Sequence, residues 1–152
     1  MGRHDRARRK ATEVAGAWRR SPKRGRLSDV FRELIRIPDL VSHERFCLEV
    51  ILIHEEEVRC DDGRGSWRRR GVSILDRKLL EVVGSTRYTS ERDFLPFLPA
   101  DLPSPFSNRS LATALAASLK TAQRMTYCMK KMHIVREVGK DGNALLFERN
   151  DP

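Results

Sequence analysis

The chain has 152 residues, 39% of them hydrophobic, and carries 30 Lys and Arg against 21 Asp and Glu for a net charge of +9. That length suits one ordinary domain or two small ones sharing a core. It holds no apolar run long enough to cross a membrane and no charged start followed by an apolar stretch to direct secretion, so a cytoplasmic protein is expected.

Three cysteines, Cys47, Cys60 and Cys128, have no short spacing between any two, which argues against a disulfide framework and a paired-cysteine zinc site. They read as small hydrophobes in or near a core. Charge is unevenly distributed. Residues 1–27 hold ten Lys/Arg and two acids (+8), residues 28–105 twelve and fifteen (−3), and residues 106–149 eight and three (+5). A polyanion would be drawn to both ends and gain little from the middle.

Residues 1–27 have few apolar anchors, a Ser21-Pro22 break and Gly25. They are expected to be a disordered basic arm, with a short helix near Ala11–Arg19. The arm reads as a nucleic-acid contact, a solvated tail, or a leader of the organellar type. From Ser28, as a cap, a helix is expected with Val30, Phe31, Leu34 and Ile35 on one face and Pro38 ending or kinking it. Phe46–Ile53 is an apolar run dense in β-formers that continues through His54–Cys60 to a turn at Asp61–Gly65. Trp67–Leu75 reads as a second strand and Lys78–Val83 as a third, so residues 28–98 are expected to form a helix packed on a small antiparallel meander. The long first strand needs cover, since an exposed apolar edge invites aggregation. Ser90–Leu98 reads as a short helix capped by Ser90, and Pro96, Pro99, Pro103 and Pro105 make residues 99–105 a stiff connector and the natural domain boundary.

After the connector, Ser107 can cap a helix whose buried face is Leu111, Ala112, Leu115 and Ala116. A second helix over 120–132 has an apolar stripe of Ala122, Met125, Met129 and Met132, spaced three, four and three. Its opposite face carries Lys120, Gln123, Arg124, Tyr127 and Lys131. Arg pairs with guanine edges, Gln with adenine and Lys with phosphates. The methionines are core filling. Ile134–Val138 and Ala144–Glu148 then flank Gly139–Asn143, a hairpin whose tip presents Lys140.

Helix, short turn, basic helix and hairpin over residues 106–149 resemble the winged helix-turn-helix of bacterial transcription regulators. The resemblance implies that helix 120–132 enters the major groove of duplex DNA while the hairpin 134–148 touches the adjacent backbone. It implies Lys120, Thr121, Gln123, Arg124, Tyr127 and Lys131 as reading residues, with Arg136, Lys140 and Asn143 on the wing. His133 stands where that family often has glycine. The upstream region is similar to uncharacterised bacterial proteins that place a small β-rich domain before such a module.

The expected whole is an α+β, non-enzymatic DNA-binding protein with no cofactor, metal or membrane contact. Residues 28–98 would serve a homodimer or a protein partner. One alternative is a docking module, the accessory partner of a nuclease or toxin. Another is a Mg²⁺-dependent nuclease built on Asp76-Arg77-Lys78 with Asp61 or Asp62, although aspartates in a turn ordinarily bond its backbone. His54-Glu55-Glu56-Glu57 departs from the zinc-protease pattern at Val58, and Gly63-Arg64-Gly65 lacks the lysine of a phosphate loop. Arg68–Arg70 beside Trp67 either contacts nucleic acid by charge and stacking or pairs with Glu55–Glu57 across the hairpin.

Overall fold

The computed structural model describes residues 20–65, 67–69 and 71–150. The expected arm helix near Ala11–Arg19 lies outside the described residues, and residues 20–26 are exposed and irregular. The fold is mixed α and β with antiparallel sheets, and the described residues divide into two compact units, one holding residues 51–84 and the other residues 25–50 with 85–150.

The second unit begins with a 3-10 turn, Leu27–Val30, running into helix α1, Phe31–Leu34. Ser28 is inside this turn and is not its cap. The Arg26 amide instead donates to the Asp29 carboxylate at 3.0 Å, ahead of the first residue. Phe31 and Leu34 are buried, as their spacing requires, and Val30 and Ile35 pack partly against the same core. Pro38 does not simply end the helix; it opens a further 3-10 turn, Pro38–Ser42.

Strand β1, Leu48–Asp61, and strand β2, Val72–Tyr88, form a two-stranded sheet. The contacts Glu49–Arg87, His54–Glu81, Glu57–Arg77 and Asp62–Ser73 run in opposite directions along the two strands, so the pairing is antiparallel. The expected three-stranded meander is therefore a ribbon. Nothing around Asp76-Arg77 supplies a turn, and β2 passes through it unbroken for 17 residues. Trp67, expected on a strand, is in a 3-10 turn of the connecting loop. That loop closes through the Gly65 amide, which donates to the Gly71 carbonyl at 2.9 Å. A Cβ at Gly65 would collide with the Val72 carbonyl.

After β2 a 3-10 helix, Glu91–Phe97, starts at Ser90 as expected. The Asp93 carboxylate accepts from the amides of Thr89 (2.6 Å) and Ser90 (2.9 Å), and these bonds hold it below the usual carboxylate range. Tyr88, Phe94, Phe97 and Phe31 form one aromatic cluster, with ring centroids 4.7 Å apart for Tyr88–Phe94 and 5.0 Å for Phe31–Phe97. The Pro-rich segment, expected as a boundary, lies inside the second unit. Leu98 and Leu102 are buried in the same core as Phe31, Phe106 and Phe147. The Arg149 guanidinium donates to the Leu98 carbonyl at 3.2 Å and also to that of Pro99. Prolines stiffen this strap, but its leucines anchor it inside one unit.

The remainder runs β3 (Phe106–Ser107), α2 (Asn108–Ala114), α3 (Leu119–Lys131), β4 (Val135–Asp141) and β5 (Ala144–Arg149). The three strands order as β3-β5-β4, with Phe106 opposite Phe147 and Asp141 opposite Ala144. Ser107 caps α2 by accepting from the Ser110 amide, and Ser118 caps α3 by accepting from the Thr121 amide at 3.1 Å. Ala122, Met125, Cys128 and Met129 are fully buried. Thr126, also buried, donates to the Asn108 side-chain oxygen at 2.7 Å and so ties α3 to the first turn of α2.

Both helices end alike. Ala116 (φ +46) and His133 (φ +56) take the left-handed conformation just past them. The next amides reach back five residues, Ala117 to the Ala112 carbonyl and Ile134 to that of Met129, each at 2.9 Å. Ala116, expected on the buried face, is exposed for this reason. Glycine usually holds such a position, because the left-handed region costs an L-residue about 1–2 kcal/mol. Ala116→Gly and His133→Gly are each expected to stabilise the protein by roughly 1 kcal/mol, measured as a higher urea midpoint. Lower midpoints for both would show that these side chains contribute more than their strain costs.

Candidate nucleic-acid interface

The capped N-terminus of α3 and its exposed face carry the chemistry of the site. Lys120, Gln123, Tyr127 and Lys131 are exposed and, spaced three, four and four, lie along one side of the helix. Leu119 (46% exposed) and Tyr127 (44%) add apolar surface to that side. Thr121 is half-buried, its hydroxyl 2.9 Å from that of Ser118. Arg124, expected on the open face, is also half-buried, because it borders a neighbour that local periodicity does not reveal.

That neighbour is α1 with the turn that follows it. Arg32, Glu33 and Arg36 line one open cleft with Ser118, Lys120, Thr121 and Arg124. Four cationic side chains from segments nearly ninety residues apart thus gather at the N-terminal end of α3. There the helix dipole also favours an anion. The carboxylates temper this charge only weakly: Arg36 lies 3.9 Å from Glu33 and Arg32 3.7 Å from Asp29, all well exposed. Arg32 and Arg36 were missed by reading the sequence. Their only signal was a +4 spacing across a short helix and the turn after it, with nothing to say what these pack on.

The hairpin residues are less uniformly available. Arg136 is engaged with Glu148 across the strands at 3.1 Å, and Lys130 with Glu137 at 3.1 Å. Lys131 stands 4.0 Å from Asp39. The turn is tighter than expected, two residues rather than five: β4 continues to Asp141, and Gly142 (φ +56) with Asn143 makes the reversal. Lys140 is consequently not at the tip but one pair below it, opposite Leu145, and Asn143 takes the exposed tip.

Residues 6–89 match a family of domains of unknown function, DUF8091. The chain belongs to that family. The matched stretch takes in α1 and the ribbon and ends beside Tyr88, so the cleft draws Arg32 and Arg36 from inside the family domain and the α3 residues from beyond it. An uncharacterised protein of Treponema pallidum (strain Nichols) is 31% identical over 136 residues, 89% of this chain and 53% of the relative. The chain therefore spans about half the length of that relative. At most 16 of the 152 residues fall outside the similarity, so it reaches α3 wherever it begins. No solved structure matches the chain.

In the ribbon, Glu57 pairs with Arg59 (2.8 Å) and Arg77 (3.3 Å), while the expected pairing through Arg69 and Arg70 falls on side chains outside the described residues. The Arg68 guanidinium stands 5.4 Å over the ring of Trp67, which is 83% exposed. Asp62 accepts from the Arg64 amide (3.0 Å) and the Ser73 hydroxyl (2.9 Å), which keeps its carboxyl below the usual range and identifies it as a turn residue. No three His, Cys, Asp or Glu side chains converge to hold a metal among the described residues. No helix among them is long and apolar enough to cross a membrane.

The buried side of α3 is chemically quiet. Burial pushes the Cys128 thiol up to about 11, whereas Cys47 is exposed. At neutral pH an aromatic disulfide reagent is expected to modify Cys47 promptly and Cys128 only after unfolding. Equal rates for the two thiols in native protein would show that α3 opens readily.

Proposed function

We propose that residues 106–149 are a winged helix-turn-helix and that the protein is a non-enzymatic DNA-binding regulator, with α3 in the major groove and the β4–β5 hairpin as the wing. The observation that carries this reading is the cationic cleft at the capped start of α3. Its Arg32, Arg36, Lys120 and Arg124 would hold a backbone phosphate, and the exposed Gln123 and Lys131 would face base edges. The strand order β3-β5-β4 around a helix pair is consistent with it. Arg36 and Arg32 extend the set read from the sequence, and Arg136, held by Glu148, contributes less than Lys140 and Asn143.

A docking role for the same face has specific support in Leu119 and Tyr127, which expose apolar surface beside Gln123, and in the ion pairs that occupy Lys130 and Arg136. The two readings separate on salt. Selection of bound fragments from the genomic DNA of the source organism, followed by titration of the enriched site, is expected to give an affinity that falls steeply as salt rises. No enrichment, and binding to duplexes that does not respond to salt, would overturn DNA recognition and leave docking.

A further inference from the structure

The ribbon of residues 51–84 carries half-exposed apolar side chains on both of its faces. Ile51, Ile53, Leu75, Leu79, Leu80, Val82 and Val83 are between 44% and 62% exposed. Side chains alternate across a strand, so Leu79 and Val83 lie on one face of β2 and Leu80 and Val82 on the other. Strands apolar on both faces belong inside a larger sheet assembly, and an isolated two-stranded ribbon is at best marginally stable in water.

We propose that the ribbon is a self-association surface, packing face to face against the ribbon of a second copy about a twofold axis. Two properties select a second copy. The first is area: the half-exposed aliphatic side chains, shared between the two faces, give on the order of a few hundred Å² of apolar surface, the size of patch that on a soluble chain marks an interaction site. The second is charge. Residues 51–84 hold seven Asp and Glu against seven Lys and Arg, whereas the whole chain is +9. A polyanion gains nothing from a neutral surface. A twofold interface needs a patch complementary to itself, and the ribbon carries both signs, Glu55 and Glu56 on β1 and Lys78 on β2, among its aliphatics.

Sedimentation of the full chain without DNA tests this independently of any DNA reading. At about 100 µM the chain is expected to sediment as a dimer of twice 17.5 kDa, equally in low salt and in about 0.5 M salt, since an apolar contact is not screened. Leu79→Lys and Leu80→Lys change exposed positions on opposite faces, so both should keep the wild-type circular dichroism. At least one should weaken dimerisation about thirtyfold or more. A chain that stays monomeric at that concentration overturns the proposal, whatever else covers the ribbon, and so does a dimer indifferent to both lysines.

Discussion

Phe31→Ala is expected to destabilise the protein by about 3–5 kcal/mol, a large fraction of the stability of a domain this size. Phe31 is fully buried, with the rings of Phe94 and Phe97 5.9 and 5.0 Å away, both edge-on. It belongs to one continuous core with Met125, Met129 and Phe147. Truncation leaves a cavity that the rigid rings of the 3-10 helix Glu91–Phe97 cannot close. The loss should appear in urea unfolding, and the α3 amides should lose hydrogen-exchange protection along with those of α1, because a single core unfolds as a unit. If α3 kept full protection in the variant, residues 106–150 would be an independent domain, and the Pro-rich segment would after all be a boundary.

The second large effect is on duplex binding, where the side chains around α3 should divide by role. Gln123→Ala is expected to lower affinity for the preferred site about 5- to 150-fold and to relax preference at one base position. Arg36→Ala and Lys140→Ala should instead weaken all duplexes alike, each reducing the slope of log affinity against log salt by about 1. Arg136→Ala should do less, since Glu148 already holds that guanidinium. Anisotropy titrations at several salt concentrations separate these outcomes. An unchanged slope in Arg36→Ala would remove the turn after α1 from the proposed interface while leaving α3 in it.

The parts of the fold read correctly from the sequence are those determined within a few residues. The Ser107 cap and the Met125-Met129-Met132 stripe place α2 and α3 to within one or two residues, because a cap bond and a helical stripe are local events. The hairpin was legible for the same reason, although only strand pairing decided that its turn is Gly142-Asn143. Arg124 shows the limit. Its position on the helix is what periodicity predicts, but its half-burial depends on a helix ninety residues upstream.

The errors share that origin. β3 is two residues long and exists only because Phe106 and Ser107 find Phe147 and Leu146. Prolines in residues 96–105 signal stiffness, yet whether a stiff segment separates two domains or straps one depends on where Leu98 and Leu102 are buried. The two-strand ribbon followed from the absence of a turn at Asp76-Arg77, a negative signal that strand propensity alone undervalues.

In residues 106–149, local chemistry alone determined a capped basic helix followed by a hairpin. Only the tertiary structure decided that Arg32 and Arg36 stand at the start of that helix and that Phe31 closes its core. The reason is physical: capping, periodicity and turn geometry act over a few residues. Which buried face meets which is decided by packing between segments that the chain keeps far apart.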